Sequence, residues 1–426
     1  MPTSLQTKSV SSASSALLIE DYLRVRAESE LICQPLEIED YGMQTFADVS
    51  PPKWHLAHVS WFFETFLLKP FKANYRDFNP QFAHLFNSYY ETVGTFHPRP
   101  ERGLLARPTV AEVYQYRAYI DAAMQELLDD DSHAKYQEII NRTILGLHHE
   151  QQHQELLYTD IKHIFAYSLL QPVYLTCDYP VTDSIPAIDW LEIEAGVHEA
   201  GHKGHGFGYD NEFPRHKNYL ADSRVANRLL SNGEYIEFIE SGAYQQAQYW
   251  LSDGWKTVQQ QNWMAPLYWQ KQDGAWWHMT LSGYRPVDLN APVCHVSLYE
   301  ADAYARWAGK RLPTEQEWEH LAAQTRVHGN LRDSGFLNPV PANGEHTQFY
   351  GDVWEWTQSS YSPYPGYHTP AGAIGEYNGK FMSNQFVLRG GSCVTPQEHI
   401  RASYRNFFYP GDRWQFSGVR LAEDSK

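Results

Sequence analysis

Cysteine is scarce in this chain, positive charge is in deficit and no long apolar run occurs, and each shortage excludes something. The four cysteines, Cys33, Cys177, Cys294 and Cys393, lie far apart and form no C-x-x-C pair. That fits a reducing compartment and argues against a thiolate metal site. With 34 basic against 51 acidic side chains the formal net charge is -17, which repels phosphate backbones and acidic membrane surfaces, so nucleic acid is not expected as a partner. No segment approaches the roughly 20 apolar residues needed to span a bilayer, so no membrane association is expected. The first 16 residues are rich in Ser, Ala and Thr but lack the basic start and apolar block of a signal peptide. They read as a disordered tail, and a cytoplasmic location is the default expectation.

What remains is a globular composition with room for two or three full cores. Aromatic residues are heavy, with 14 Trp and 29 Tyr, which predicts large cores and leaves some rings to line a small-molecule pocket, where their faces bind cations. Composition changes near residue 170. Before it, helical periodicity dominates: Leu18, Tyr22 and Val25 share a stripe, PPKWHLAHVSWFFETFLL opens with Pro at a helix start, and Thr109 with Glu112 forms a capping box ahead of Val113, Ile120, Met124 and Leu127. A fourth helix is predicted from about Lys135 to Tyr167. Four long amphipathic segments predict a four-helix bundle over residues 17–170, a fold that builds metal sites from inward-facing side chains. Residues 171–190 are Pro- and Asp-punctuated and read as a linker. Residues 191–424 bring Gly-rich turns, short β-like runs and one clear helix from Ser297 to Ala308, an irregular α+β domain.

The stretch HHEQQHQE, residues 148–155, places His149 and His153 four apart on one helix face, where two imidazoles can grip one metal ion. It also reads as H-E-x-x-H, the zinc-protease pattern, with Glu150 in the position of the general base. That reading needs a third ligand downstream. QELLYTDIKH supplies no Gly-spaced histidine, and no Glu occurs between Glu155 and Glu192, so the protease reading fails. Glu150 then reads as a surface or supporting carboxylate, and Glu155 as a group able to orient a ligand imidazole. Candidates for the third ligand are His55 and His58, three apart in WHLAHVSWFFE. Three neutral histidines with no anionic ligand leave about three positions open on an octahedral ion, which suits Fe(II) handling O2 and two substrates.

WHLAH, NSYYETVG, HPRPERG and LGLHHEQQHQELLYTDIKH together resemble the DinB-like bundle of the ergothioneine-biosynthesis sulfoxide synthases. These non-haem iron enzymes join a thiol to C2 of hercynine, Nα-trimethylhistidine. VSLYEADAYARWAGKRLPTEQEWEHLA, GDVWEWTQSSY, VLRGGSC, RASYRNFF and FSGVRLA resemble the formylglycine-generating-enzyme, or sulfatase-modifying-factor, domain, a C-type-lectin-like fold. The similarity covers about residues 18–424 and keeps the motifs in order and spacing.

The resemblance implies iron ligands at His58, His149 and His153, with His55 a helix neighbour that does not bind metal and His148 and His163 supporting or surface groups. Tyr89 and Tyr90 stand where members that use free cysteine place their active-site tyrosines, and a phenol beside a metal site can donate a proton. Arg99 resembles the binder of the thiol's carboxylate, and Arg102 has the spacing of the second arginine in members that use γ-glutamylcysteine. Gln152 is placed to hydrogen-bond the hercynine imidazole or carboxylate. Trp414 and Phe416 in DRWQFSG resemble the loop that offers aromatic faces to the trimethylammonium group. Tyr361 and Tyr364 are weaker candidates. The implied reaction is O2-dependent, with cysteine favoured over γ-glutamylcysteine as the thiol. Three rival readings are an ovothiol-type 5-histidylcysteine sulfoxide synthase, whose family carries an added methyltransferase domain, a DinB-like thiol transferase without redox chemistry, and formylglycine formation by the second domain. The last uses two nearby cysteines, whereas Cys294 and Cys393 are about 100 residues apart.

Overall fold

The computed structural model of the protein describes residues 12–344 and 348–425 and divides into two compact units, Met1–Tyr167 and Ser168–Lys426. Residues 1–11 of the expected tail lie outside the described residues. Its last part does not match the expectation, because helix α1 begins at Ser12 and runs to Cys33.

The first unit is built on four long helices, α1 with α2 (Pro52–Phe63), α3 (Val110–Asp129) and α4 (Tyr136–Tyr167). Pro52 occupies the first turn of α2, where its missing N–H has no helical partner to lose. From Trp54 to Phe63 every residue of α2 is buried, which marks it as the central helix. It continues through a π turn, Glu64–Leu68, whose Glu64 carboxylate is buried and accepts the hydroxyls of Tyr75 and Tyr116 at 2.6 and 2.7 Å. Helix α3 starts with the predicted capping box: Thr109 Oγ1 accepts the Glu112 N–H while the Glu112 carboxylate accepts the Thr109 N–H. Gly146 lets α4 approach α2 closely, since a Cβ there would stand 2.6 Å from the Phe63 ring.

A polar cluster ties these four helices together. Glu150 on α4, fully buried, takes Arg26 of α1 at 3.0 Å, Arg117 of α3 at 3.2 Å and Ser29 Oγ at 2.7 Å. Arg26 also donates to Ser60 Oγ of α2 at 2.8 Å and Arg117 to the Leu56 carbonyl at 3.1 Å. Glu150 is therefore not the surface carboxylate suggested by the sequence: it is the anion between two buried guanidiniums.

The second unit is α+β. Trp190–Ile193, Ser223–Ala226 and Ala422–Asp424 form one antiparallel sheet, with Ser223–Ala226 in the middle, paired on one side with Trp190–Ile193 and on the other with Ala422–Asp424. A four-stranded sheet orders Asn406–Phe408, Phe386–Arg389, Trp354–Ser360 and Ser417–Gly418. Helices α5 (Leu298–Trp307) and α6 (Glu315–Ala322) each carry a capping box, Ser297 with Glu300 and Thr314 with Glu317. Buried Glu315 accepts from both Arg389 at 3.0 Å and Arg405 at 2.8 Å. The segment 171–190 does not behave as a free tether. Tyr174 N–H donates to the Leu281 carbonyl at 3.0 Å, Asn290 donates to the Thr182 carbonyl at 2.7 Å and Arg228 to that of Pro186 at 2.7 Å, so it runs hydrogen-bonded within the second unit. None of the four cysteines is in a disulfide, and among the described residues no helix is long and apolar enough to cross a membrane.

Candidate metal centre

Helix spacing sets up the centre. On α4, His149 and His153 are four residues apart and share a face; on α2, His55 and His58 are three apart and share another. Where α2 packs on α4, the ligand-capable nitrogens of His58, His149 and His153 all lie within 4.8 Å of one another. Ring centroids are 5.0 Å apart for His58 and His149, and 4.7 Å for His153 with each of the others. The Nε2 atoms of His58 and His149 are 3.3 Å apart. With a metal–nitrogen bond of about 2.1 Å, two ligands at a right angle stand about 3 Å apart. The 3.3 Å spacing of His58 and His149 therefore suits two ligands of one ion, whether at an octahedral angle or at a tetrahedral one of about 3.4 Å.

Its electrostatics agree. Burial drives the His58 imidazole well below its ordinary pKa, with the neighbouring His149 adding to the effect; burial takes His149 down to about 3 and lowers His153 as well. All three rings are neutral at neutral pH, and a neutral ring has a lone pair to give. His58 Nδ1 lies 2.6 Å from the Phe86 carbonyl, which can only accept, so the proton sits on Nδ1 and Nε2 faces His149.

His55 belongs to the same cluster without joining the trio. Its Nδ1 is 2.8 Å from His153 Nδ1 and its Nε2 is 2.9 Å from the carboxylate of Asp160. Nothing in the sequence reading flags Asp160, although its seven-residue spacing from His153 puts it on the same face of α4, two turns on. Trp54 is a second unflagged neighbour. Its ring stacks on His58, with centroids 4.6 Å apart and planes at 9°, and the Arg102 guanidinium lies 3.3 Å from its centroid.

The remaining expected residues fall in three places. Tyr89 and Tyr90 stack on each other at 4.6 Å, in a loop clasped by Asn87, whose side chain donates to the Tyr90 carbonyl and accepts its N–H. Tyr90 is buried against Trp61, which in turn stacks on His58 at 5.5 Å, so the pair shares an aromatic layer with one trio member. Arg99 is half-exposed, with Asp48 as its neighbour. Arg102 is only 4% exposed and donates to Ser50 Oγ at 2.9 Å. Burial lowers its pKa. Gln152 is half-buried on α4 between the two histidines. In the second unit, Trp414 is buried edge-on to Phe408 at 5.8 Å and Phe416 is buried against the His295 ring at 4.8 Å. Tyr361 stacks on Phe407 at 4.0 Å and Tyr364 lies under Arg405, so both are packing groups of that unit's core. His148 is half-buried and His163 is buried beside Thr45.

The second unit defines a class. Residues 181–346 and 341–425 match the sulfatase-modifying factor enzyme 1-like domain, more than half of the chain. Full-length comparison narrows this. The chain is 30% identical to hercynine oxygenase of Mycolicibacterium smegmatis over 425 residues, covering 88% of this chain and 91% of that protein. It is 29% identical to hercynine oxygenase of Mycolicibacterium thermoresistibile, covering 88% of each. Ergothioneine biosynthesis protein 1 of Schizosaccharomyces pombe matches at 28% over 232 residues, 51% of this chain and 28% of that one. The chain belongs to the hercynine oxygenase family, the oxygen-dependent sulfoxide synthases of ergothioneine biosynthesis.

Proposed function

We propose that this protein uses Fe(II) and O2 to join cysteine to C2 of hercynine as the sulfoxide, with His58, His149 and His153 holding the iron. The observation that carries the reading is the convergence of three neutral imidazole nitrogens within 4.8 Å at the α2–α4 packing line, in a chain of this family. When bound, Fe(II) with three protein nitrogens would keep open positions for two substrates and O2 and supply the one-electron chemistry that activates oxygen. On this reading residues 17–170 are the DinB-like bundle and residues 191–424 the lectin-like domain.

The chain's own residues have separable roles. Arg99, the accessible arginine of the HPRPERG loop, pairs with the thiol substrate's carboxylate, a two-point match for a planar guanidinium. Tyr89 or Tyr90 supplies a proton at its phenol oxygen to the reacting centre. Gln152, half-buried between His149 and His153 on α4, hydrogen-bonds hercynine. What supports cysteine over γ-glutamylcysteine is Arg102: the arginine whose spacing would serve the longer thiol is buried and engaged with Ser50 and Trp54.

The test is oxygen uptake by the Fe(II)-loaded protein with hercynine and either thiol, with products identified by mass. Hercynylcysteine sulfoxide formed with stoichiometric oxygen use is the expected result. Turnover without oxygen, or none with either thiol, would overturn the reading.

A further inference from the structure

The outer nitrogens of His58 and His153 at this centre are held differently. His58 Nδ1 meets a backbone carbonyl, Phe86 O at 2.6 Å, which accepts and nothing else. His153 Nδ1 meets another imidazole nitrogen, His55 Nδ1, at 2.8 Å. An imidazole can donate or accept, so His55 sets the tautomer of His153 only if something sets its own. Asp160 does so. Its Oδ2 lies 2.9 Å from His55 Nε2 and accepts the Ser50 N–H at 2.8 Å, which anchors the carboxylate to backbone.

The chain of protons then has one solution. A carboxylate oxygen accepts, so His55 Nε2 carries the hydrogen. In a neutral imidazole that is the one ring hydrogen, so His55 Nδ1 carries a lone pair. His153 Nδ1 must therefore donate, and its Nε2 is left as the electron-pair donor. The geometry points to His55 and Asp160 as positioning residues that fix the tautomer and aim of His153 as a metal ligand, an assignment that rests on reading the trio as the metal centre. The relay leaves α4 at Asp160, passes through α2 at His55 and returns to α4 at His153, two turns away, so it also fixes the depth at which the two helices meet.

Removing an outer partner of a metal-bound histidine typically lowers metal affinity 10–100-fold. The experiment titrates metal-free full-length protein with Co(II) against a competing chelator and records the ligand-field spectrum, with a melting curve for each variant. His55→Leu and Asp160→Ala should bind Co(II) roughly 10–100-fold more weakly than the parent, with an altered spectrum. His55→Asn, whose amide oxygen can take the place of Nδ1, and Asp160→Asn, which keeps an acceptor, should recover part of the loss. This ordering should hold between variants that melt alike, which separates positioning from general support of the fold. His149→Ala distinguishes the two levels of the argument. If it binds Co(II) as tightly as the parent, the metal-centre reading falls and the relay with it. If it loses the metal while His55→Leu and Asp160→Ala keep parental affinity and spectrum, the relay alone is overturned.

Discussion

The Arg102 guanidinium lies 3.3 Å from the centroid of Trp54, and the same indole stacks on His58 at 4.6 Å. A cation inside the fold thus acts on the candidate metal centre through one intervening ring. A desolvated cation–π contact contributes about 2 kcal/mol, so Arg102 supports the placement of Trp54 and, behind it, of His58. Arg99, three residues earlier, is half-exposed beside Asp48 and on the proposed reading meets the thiol's carboxylate. The two arginines should therefore respond differently to truncation. Arg102→Ala should lower stability by about 2 kcal/mol and reduce kcat/KM for cysteine and γ-glutamylcysteine by similar factors. Arg99→Ala should leave stability nearly unchanged and raise KM for the thiol about 10–100-fold, the worth of a charged hydrogen bond. Steady-state kinetics with both thiols decides it: a selective loss of γ-glutamylcysteine in Arg102→Ala would make Arg102 a substrate ligand.

Glu150 invites a stability test. It follows a candidate ligand directly in sequence, yet its carboxylate joins Arg26 at 3.0 Å and Arg117 at 3.2 Å, away from His149. Removing one partner of a buried pair strands the others and costs about 3–5 kcal/mol. Arg26 retains Asp121 at 2.7 Å, whereas the Arg117 partner Glu30 is partly exposed, so the loss falls mainly on Arg117. Glu150→Ala should thus lose about 3–5 kcal/mol of unfolding free energy in urea, and Glu150→Gln, which keeps an acceptor for Ser29 and Arg117, clearly less. Equal and small losses in both variants would show that the cluster contributes little.

These cases also show where the sequence was legible. Features encoded within one or two turns were readable: Thr109 with Glu112 at the start of α3, Pro52 at the start of α2, and His149 with His153 on one face of α4. Each depends on the fixed pitch of a helix. Features that depend on which side chains meet across helices were not. Asp160 and Trp54 lie within quoted motifs that do not say which side chains they meet, Arg102 carries no sign of its burial, and Glu150 gave no hint that Arg26 and Arg117 would converge on it. The π turn at Glu64–Leu68 was equally silent, because it changes the hydrogen-bond register without requiring any residue type. The α+β class of the second unit was readable from its short runs and turns, but not the pairing of Ala422–Asp424 with Ser223–Ala226, nearly 200 residues away in sequence.

His163 supplies a pH-dependent term that is independent of metal. It is buried on α4, with Nδ1 2.6 Å from Thr45 Oγ1 and its ring stacked on Tyr167 at 4.5 Å, and burial takes its pKa down to about 4. In the unfolded chain the imidazole titrates near 6.5. Between those values the unfolded chain binds a proton that the folded protein does not. The contribution is therefore fully present above pH 6.5 and is lost as pH falls toward about 4, with a slope of at most about 1.4 kcal/mol per pH unit. His163→Gln keeps a polar partner for Thr45 and removes the titration. Its urea-unfolding free energy, followed by loss of helical signal, should fall less steeply than the parent's between about pH 6.5 and 4, with a constant offset above pH 7. Parallel curves across that window would mean that His163 takes up its proton as readily in the fold as out of it.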